Sequence, residues 1–141
     1  MIVSVEKEIG GNILSIETGR LARQTDGAVT VRYGDTVVFA NVVCNPLEEP
    51  KDFLPLIVEY REKNFAAGKI PGGFYKREGR PTTKEILTMR LIDRPIRPFF
   101  SDWYNHEIQI TAFVISADQK NNPDIIAMLA SSVALNVSKK I

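Results

Sequence analysis

Short runs of alternating apolar and polar side chains fill the first sixty residues, and this pattern predicts a β-sheet. The run at 36–44 is long and rich in β-branched residues, which favours a central strand. Pro55 lies at the start of the last run and favours an edge strand, because proline lacks the amide that a central ladder needs. Consecutive strands usually pair with their neighbours, so a meander is expected. The predicted strands lie around residues 3–5, 13–16, 28–33, 36–44 and 54–60.

The second half of the chain carries two helix signals separated by one more strand. At Thr82 the sequence Thr-Thr-Lys-Glu has the capping-box pattern, and the apolar residues at 86, 87, 91 and 92 have helical spacing. The prolines at 95 and 98 are expected to end this helix. Residues 107–117 alternate as a strand, and a second helix is predicted over 122–138, where Asn-Pro forms its start. The predicted fold class is therefore α+β, a β-meander followed by helix, strand and helix.

The charge of the chain is nearly balanced, with 18 basic and 17 acidic side chains and a net charge of +1. This balance excludes polybasic proteins that are defined by their global charge. The charges are unevenly spread, because residues 61–100 hold ten basic and four acidic side chains, a net +6, against −4 before this segment and −1 after it. A local site for a polyanion is the expected consequence.

The chain has one cysteine and one histidine, so a disulfide within the chain and most zinc sites are excluded. Cys44 ends a β-branched run and is interpreted as a small buried hydrophobe. His106 beside Glu107 is a weak acid/base candidate, because adjacent residues on a strand point to opposite faces. No signal peptide and no long apolar run is visible, so a cytoplasmic location without a membrane partner is expected.

Between residues 61 and 81 the periodicity disappears, and four glycines and two prolines occur among basic side chains. We call residues 68–81 the basic loop. Adjacent aromatics followed by cations are typical of a clamp for single-stranded nucleic acid, because flat rings stack on bases and positive charges meet phosphates. In the alternative interpretation the two aromatics plug the core and the cations are merely solvated. The candidate residues for this contact are Phe74, Tyr75, Lys76 and Arg77.

Three arginines follow the basic loop at spacings of four and three, namely Arg90, Arg94 and Arg97. The spacing puts the first two on one helical face, where they form a possible phosphate or RNA contact. The alternative is structural, with Glu85 and Asp93 as internal ion-pair partners. No catalytic residue and no metal ligand is nominated in the chain.

The sequence Phe-Tyr-Lys-Arg-Glu-Gly-Arg-Pro at 74–81, the arginine-rich run at 90–100 and Asn-Pro-Asp-Ile at 122–125 together carry a family resemblance. They resemble the amino-terminal ribonuclease PH-type domain of the bacterial polynucleotide phosphorylases. Glu-Thr-Gly at 17–19 and Ala-Arg-Gln at 22–24 also fit, so the resemblance spans nearly the whole chain. The family loop commonly reads Phe-Phe-Arg-Arg. Here Tyr75 keeps a stacking face, whereas Lys76 keeps the charge but loses the bidentate guanidinium.

The resemblance implies the fold and the activity of this family. The implied fold is ribonuclease PH-like, with residues 1–141 forming most of a first core domain. Because the sequence stops at Lys-Lys-Ile without glycine, proline or a polar tail, we expect its C-terminal boundary to be a truncation. The implied enzyme is a homotrimeric ring that degrades single-stranded RNA from its 3′ end, releasing nucleoside diphosphates during mRNA turnover.

The resemblance also implies cofactors and partners. Inorganic phosphate would be the co-substrate and Mg²⁺ the assisting metal, both held in a second core domain. This segment would supply ring contacts and a pore loop whose RNA-binding residues are Phe74, Tyr75, Lys76, Arg77 and Arg80. A complex for RNA degradation is a possible partner, and no DNA is expected. One alternative is a non-catalytic RNA-binding ring subunit of an exosome-like assembly. Another is a structural domain whose basic loop meets an acidic protein.

Overall fold

The computed structural model describes residues 1–101 and 104–140, and in these ranges the chain forms a six-stranded sheet and two α-helices. Helix α2 packs on strands β3, β4 and β6, while α1 packs on β5 and touches α2. The strands are β1 Val3–Ile9, β2 Asn12–Thr18, β3 Gly27–Tyr33, β4 Thr36–Pro46, β5 Leu56–Glu62 and β6 His106–Ser116. The helices are α1 Thr83–Ile96 and α2 Pro123–Asn136, with short 3-10 turns at Asn64–Ala67 and Arg97–Phe99.

The sheet order is β1-β2-β3-β4-β6-β5. Strands β1 to β4 pair as an antiparallel meander, as predicted. The expectation that the fifth strand continues this meander is wrong, because β6 lies between β4 and β5 and pairs parallel to β5. Parallel neighbours need a crossover connection, and α1 lies in the connection between these two strands. Strand β5 is an edge strand, as Pro55 indicated.

The core lies between the helices and the alternate residues of the central strands. In β4, every second residue from Thr36 to Cys44 is fully buried, which confirms the prediction of a central strand. Cys44 is a free, buried thiol, in agreement with its interpretation as a small hydrophobe. Small residues allow α2 to approach the sheet closely. A Cβ added at Gly27 would overlap the Ala134 carbonyl oxygen.

Helix α1 begins with the predicted capping box. The Thr82 hydroxyl accepts a hydrogen bond from the Glu85 amide at 3.2 Å, and the Glu85 carboxylate accepts one from the Thr82 amide at 2.6 Å. Pro95 lies in the last turn, so the helix continues one residue past this proline. The buried face contains Glu85, Thr88, Ile92 and Ile96. Of the four apolar residues that indicated the helix, only Ile92 is buried, and the other three are exposed.

Helix α2 begins as predicted, because the Asn122 side chain accepts a hydrogen bond from the Asp124 amide at 3.1 Å. It ends at Asn136, two residues before the predicted end. Its buried residues are Ile126, Ala127, Ala130, Ser131, Ala134 and Leu135. In the described ranges, neither helix has the length and hydropathy needed to cross a membrane.

Candidate nucleic-acid interface

The aromatic pair lies at the outside of the basic loop. Phe74 is 93% exposed and Tyr75 is 80% exposed, and the two rings contact each other edge to face with centroids 5.4 Å apart. No helix or strand forms between residues 68 and 82. The two rings therefore do not plug the core of this structure. They present flat apolar faces to solvent, where a base can stack on them.

Three cations of the basic loop follow this pair in the sequence. Lys76, Arg77 and Arg80 are exposed, and none of them lies within ion-pair distance of a carboxylate in the described part of the chain. The backbone turns sharply here, since Gly73 has φ +81° and Lys76 has φ +50°. The left-handed region suits glycine but not lysine. Three positive charges without a carboxylate partner among the described residues can meet an anionic ligand.

The two ends of the basic loop are fixed to the segment that follows β5. At the first end, the Gly68 amide donates to the Phe65 carbonyl at 2.9 Å, and the Lys69 amide to the Asn64 carbonyl at 3.0 Å. At the second end, the Glu78 carboxylate accepts from the Asn64 amide at 2.8 Å. Between these ends, no hydrogen bond joins residues 70–77 to the rest of the described chain.

Two further contacts hold the second end of the basic loop. The Lys63 ammonium lies 3.0 Å from the Glu78 carboxylate, and the Arg61 guanidinium donates to the Gly79 carbonyl at 2.9 Å. The hydrogen bond from the Asn64 amide lowers the pKa of Glu78 below its ordinary value, with help from Lys63 and against the effect of burial. Glu78 is therefore a charged acceptor at neutral pH. Sequence reasoning did not identify this role.

The surroundings differ among the three arginines, two of which lie in α1 and one directly after it. Arg97 forms a double contact with Asp93, at 2.6 and 3.1 Å, and also donates to the Leu54 carbonyl at 2.9 Å. It therefore joins the end of α1 to the start of β5, as in the structural alternative. Arg90 and Arg94 are exposed and have no carboxylate within ion-pair distance among residues 1–101 and 104–140. They stay candidates for a phosphate contact.

A polar cluster around the buried Tyr60 was not predicted. The Tyr60 hydroxyl lies 2.8 Å from the Glu62 carboxylate and 3.0 Å from that of Asp124. The Lys84 ammonium lies 2.7 Å from the same Glu62 oxygen. Burial, together with the two carboxylates, raises the pKa of Tyr60 above its ordinary value. This cluster joins β5 to the first turns of both helices. Its members are too far apart in sequence for a motif to reveal them.

The magnesium ion that the resemblance implies does not fit the residues described here. No group of three or more His, Cys, Asp or Glu side chains in residues 1–101 and 104–140 is arranged to hold a metal ion. The carboxylates of Glu62 and Asp124 already share the ammonium of Lys84. His106 stacks on Tyr104 with ring centroids 4.8 Å apart and makes no described hydrogen bond with Glu107. We therefore assign neither a metal site nor an acid/base pair to the described residues.

The fold and the motifs of this chain match a known family. A model of the 3′ exoribonuclease family, domain 1, matches residues 13–140. The chain belongs to this family, which confirms the resemblance seen in the sequence. One relative, a polyribonucleotide nucleotidyltransferase of Rhodospirillum centenum, is 61% identical over 130 residues, which are 92% of this chain and 18% of the relative. Another of the same name, from Bradyrhizobium diazoefficiens, is 58% identical over 136 residues, 96% of this chain and 19% of the relative.

Solved structures share the fold at low sequence identity. The chain matches a subunit of the Archaeoglobus fulgidus exosome with RNA bound to the active site, with a TM-score of 0.66, 17% identity, and coverage of 98% of this chain and 51% of that subunit. It also matches rice Rrp46, with a TM-score of 0.65, 18% identity, and coverage of 88% and 53%. These likenesses confirm the ribonuclease PH-like α+β fold. The chain spans less than a fifth of the length of the curated relatives.

Proposed function

We propose that residues 1–141 are most of the first ribonuclease PH-type core domain of a 3′ to 5′ phosphorolytic exoribonuclease, a polyribonucleotide nucleotidyltransferase. In this proposal the segment grips RNA and contributes contacts to a homotrimeric ring, while the reaction takes place elsewhere in the enzyme. The observation that carries the proposal is the exposed aromatic pair on one loop with three exposed cations, which have no ion-pair partner among the described residues. The family membership and the 61% identity to a named nucleotidyltransferase support the activity.

The basic loop suits RNA held without regard to sequence. Every base has a flat face, and stacking on an aromatic ring is worth about 1 to 3 kcal/mol per base. Phe74 and Tyr75 offer two such faces, and the neighbouring cations lie close enough in sequence to meet the phosphates of the same strand. Because this binding mode does not read the base edges, it allows a strand to pass along the loop. This property is required of an enzyme that shortens RNA one nucleotide at a time.

Phosphorolysis needs a phosphate as nucleophile and a site that binds it. An oxygen of inorganic phosphate attacks the terminal phosphorus, the 3′ oxygen of the preceding nucleotide leaves, and a nucleoside diphosphate is released. We assign none of these steps to residues of this chain, since the described residues hold no acid/base pair and no metal site. In the proposed enzyme, Mg²⁺ and phosphate are bound by residues outside this segment. The cytoplasmic location also stays a prediction from the sequence.

A second candidate function is a non-catalytic RNA-binding ring subunit. The fold likeness to one chain of an RNA-bound exosome favours this candidate. The two candidates share the basic loop and differ in catalysis. A complex for RNA degradation remains a possible partner in both cases.

Release of nucleoside diphosphates from poly(A) separates these candidates. The full-length protein, given phosphate and Mg²⁺, is expected to release them, whereas the 141-residue chain alone is expected to release none above a mock preparation. Active full-length protein with an inactive fragment supports the proposal, and an inactive full-length protein that still binds poly(A) supports the ring subunit. If an acidic peptide displaces poly(A) when both are present at the same concentration of negative charge, the basic loop is instead a surface for an acidic protein.

A further inference from the structure

We propose that Glu78 is a positioning residue that fixes the basic loop in the orientation in which it grips RNA. The inference rests on the proposed function and names a residue that acts through the loop without touching the RNA. Glu78 follows directly after Arg77 in the sequence, so its contacts fix the backbone next to the cations. It is also the first residue after the aromatic and cationic segment whose side chain bonds to the body of the domain.

The geometry makes the basic loop an arch with two fixed ends. Both ends are bonded to the same short segment, with Asn64 involved in each: its carbonyl accepts from Lys69, and its amide donates to Glu78. No hydrogen bond joins the span between them, residues 70–77, to the rest of the described chain. Loss of the Glu78 contacts loosens the second end and extends the free part of the loop to the Arg61–Gly79 hydrogen bond. A longer free loop loses more conformational entropy when RNA orders it, and binding weakens.

Because Glu78 is charged, the direction in which its removal changes the affinity for RNA tests this inference. A carboxylate beside an RNA site repels phosphates, so its removal strengthens binding if charge is its only role. Its removal weakens binding if the carboxylate fixes the second end of the basic loop. The side chain is 22% exposed and that of its partner Lys63 is 30% exposed, so neither contact is fully screened by water.

The experiment uses the full-length protein with the variants Glu78→Ala and Glu78→Gln, and with Glu49→Ala as the control. Glu49 is an exposed carboxylate on another loop. Hydrogen exchange of the Asn64 amide and the affinity for oligo(A) are measured for each. We expect Glu78→Ala to speed exchange at Asn64 and to weaken oligo(A) binding, each by roughly tenfold, the lower end of what the loss of a hydrogen bond to a charged group does.

The other variants and the salt dependence complete the test. Glu78→Gln keeps an acceptor for the Asn64 amide and is expected to retain most of the protection from exchange, while Glu49→Ala changes neither quantity. The salt dependence of binding stays unchanged in Glu78→Ala, because no cation is lost. If Glu78→Ala binds oligo(A) as tightly as the wild type, or more tightly, this inference is overturned and the proposed function stands. If the wild type does not bind oligo(A), both are overturned.

Discussion

Replacing Glu85 by alanine is expected to destabilise the protein more than any other single change near the basic loop. The Glu85 carboxylate accepts hydrogen bonds from the Thr82 amide at 2.6 Å and from the Glu62 amide at 2.9 Å. It also lies 3.5 Å from the Arg61 guanidinium, whose side chain is 14% exposed. The Arg61 Nε atom has no hydrogen-bond partner among the described residues. Loss of Glu85 therefore leaves a nearly buried positive charge and two backbone amides without their acceptor.

The expected magnitude follows from these contacts. Breaking a buried ion pair by removing one partner costs about 3 to 5 kcal/mol, and loss of a helix cap costs about 1 kcal/mol. The two effects share the same carboxylate, and the ion pair lacks a direct hydrogen bond, so we expect a loss of about 3 kcal/mol. Typical domains have a free energy of unfolding of about 5 to 15 kcal/mol in total. Thr82→Ala, which removes the other half of the capping box, is expected to cost only about 1 kcal/mol.

Urea unfolding at neutral and acidic pH measures this effect. Burial alone would raise the pKa of Glu85, but hydrogen bonds from the Thr82 and Glu62 amides and the charge of Arg61 lower it below its ordinary value of 4.5. The stabilisation is therefore present above that value and is lost as the pH falls through the lowered pKa. The difference between wild type and Glu85→Ala should shrink in acid. A loss at neutral pH no larger than that of Thr82→Ala, or a difference that grows in acid, would refute the reasoning.

Two further predictions concern packing. Gly27→Ala is expected to lower the free energy of unfolding by about 1 to 3 kcal/mol, because the added Cβ overlaps the Ala134 carbonyl oxygen. A Cβ added at Gly72 meets nothing within 4 Å, so Gly72→Ala should change the free energy of unfolding little. Thermal unfolding of both variants checks this. The 141-residue chain is expected to self-associate or bind a hydrophobic dye, because Leu87 is 61% and Phe99 is 88% exposed. A monodisperse monomer in light scattering, with no dye binding, would contradict the second prediction.

The parts of the fold that the sequence predicted are those set by local patterns. Strands β1 to β4 were found because alternation and turn residues lie within a few positions of each other. The capping box at Thr82 was found because its two partners are three residues apart. Such local patterns do not depend on contacts with distant parts of the chain. They can therefore be recognised in the sequence alone.

The parts that the sequence did not predict depend on contacts between distant segments. The place of β6 between β4 and β5 is decided by how α1 crosses the sheet, and no local pattern encodes that choice. Helical spacing identified α1, but it did not tell which face is buried. Ile86, Leu87 and Leu91 are exposed, while Glu85 and Thr88 lie inside. Polar side chains occupy that face because the capping box and the contacts with β5 satisfy them.

The candidate site shows the same division. Composition alone indicated the basic loop, because adjacent aromatics and cations are rare in a linker. Its anchoring was missed, since the partner of Glu78 is a backbone amide fourteen positions earlier, and every residue has such an amide. The alternatives for Arg97 also needed the structure. Its contacts with the carbonyl groups of Leu54 and Leu56 bridge more than forty positions of sequence.

The salt dependence of oligo(A) binding by the full-length protein tests most directly whether the basic loop grips RNA. Each cation that meets a phosphate of a single strand contributes about 0.7 to the slope of log affinity against log salt. Replacing Lys76, Arg77 and Arg80 by neutral residues should flatten this slope by about two units. Replacing Phe74 and Tyr75 by alanine should instead weaken binding by about 1 to 3 kcal/mol per lost stack and leave the slope unchanged. If neither set of replacements alters the affinity or the slope, the basic loop does not bind RNA.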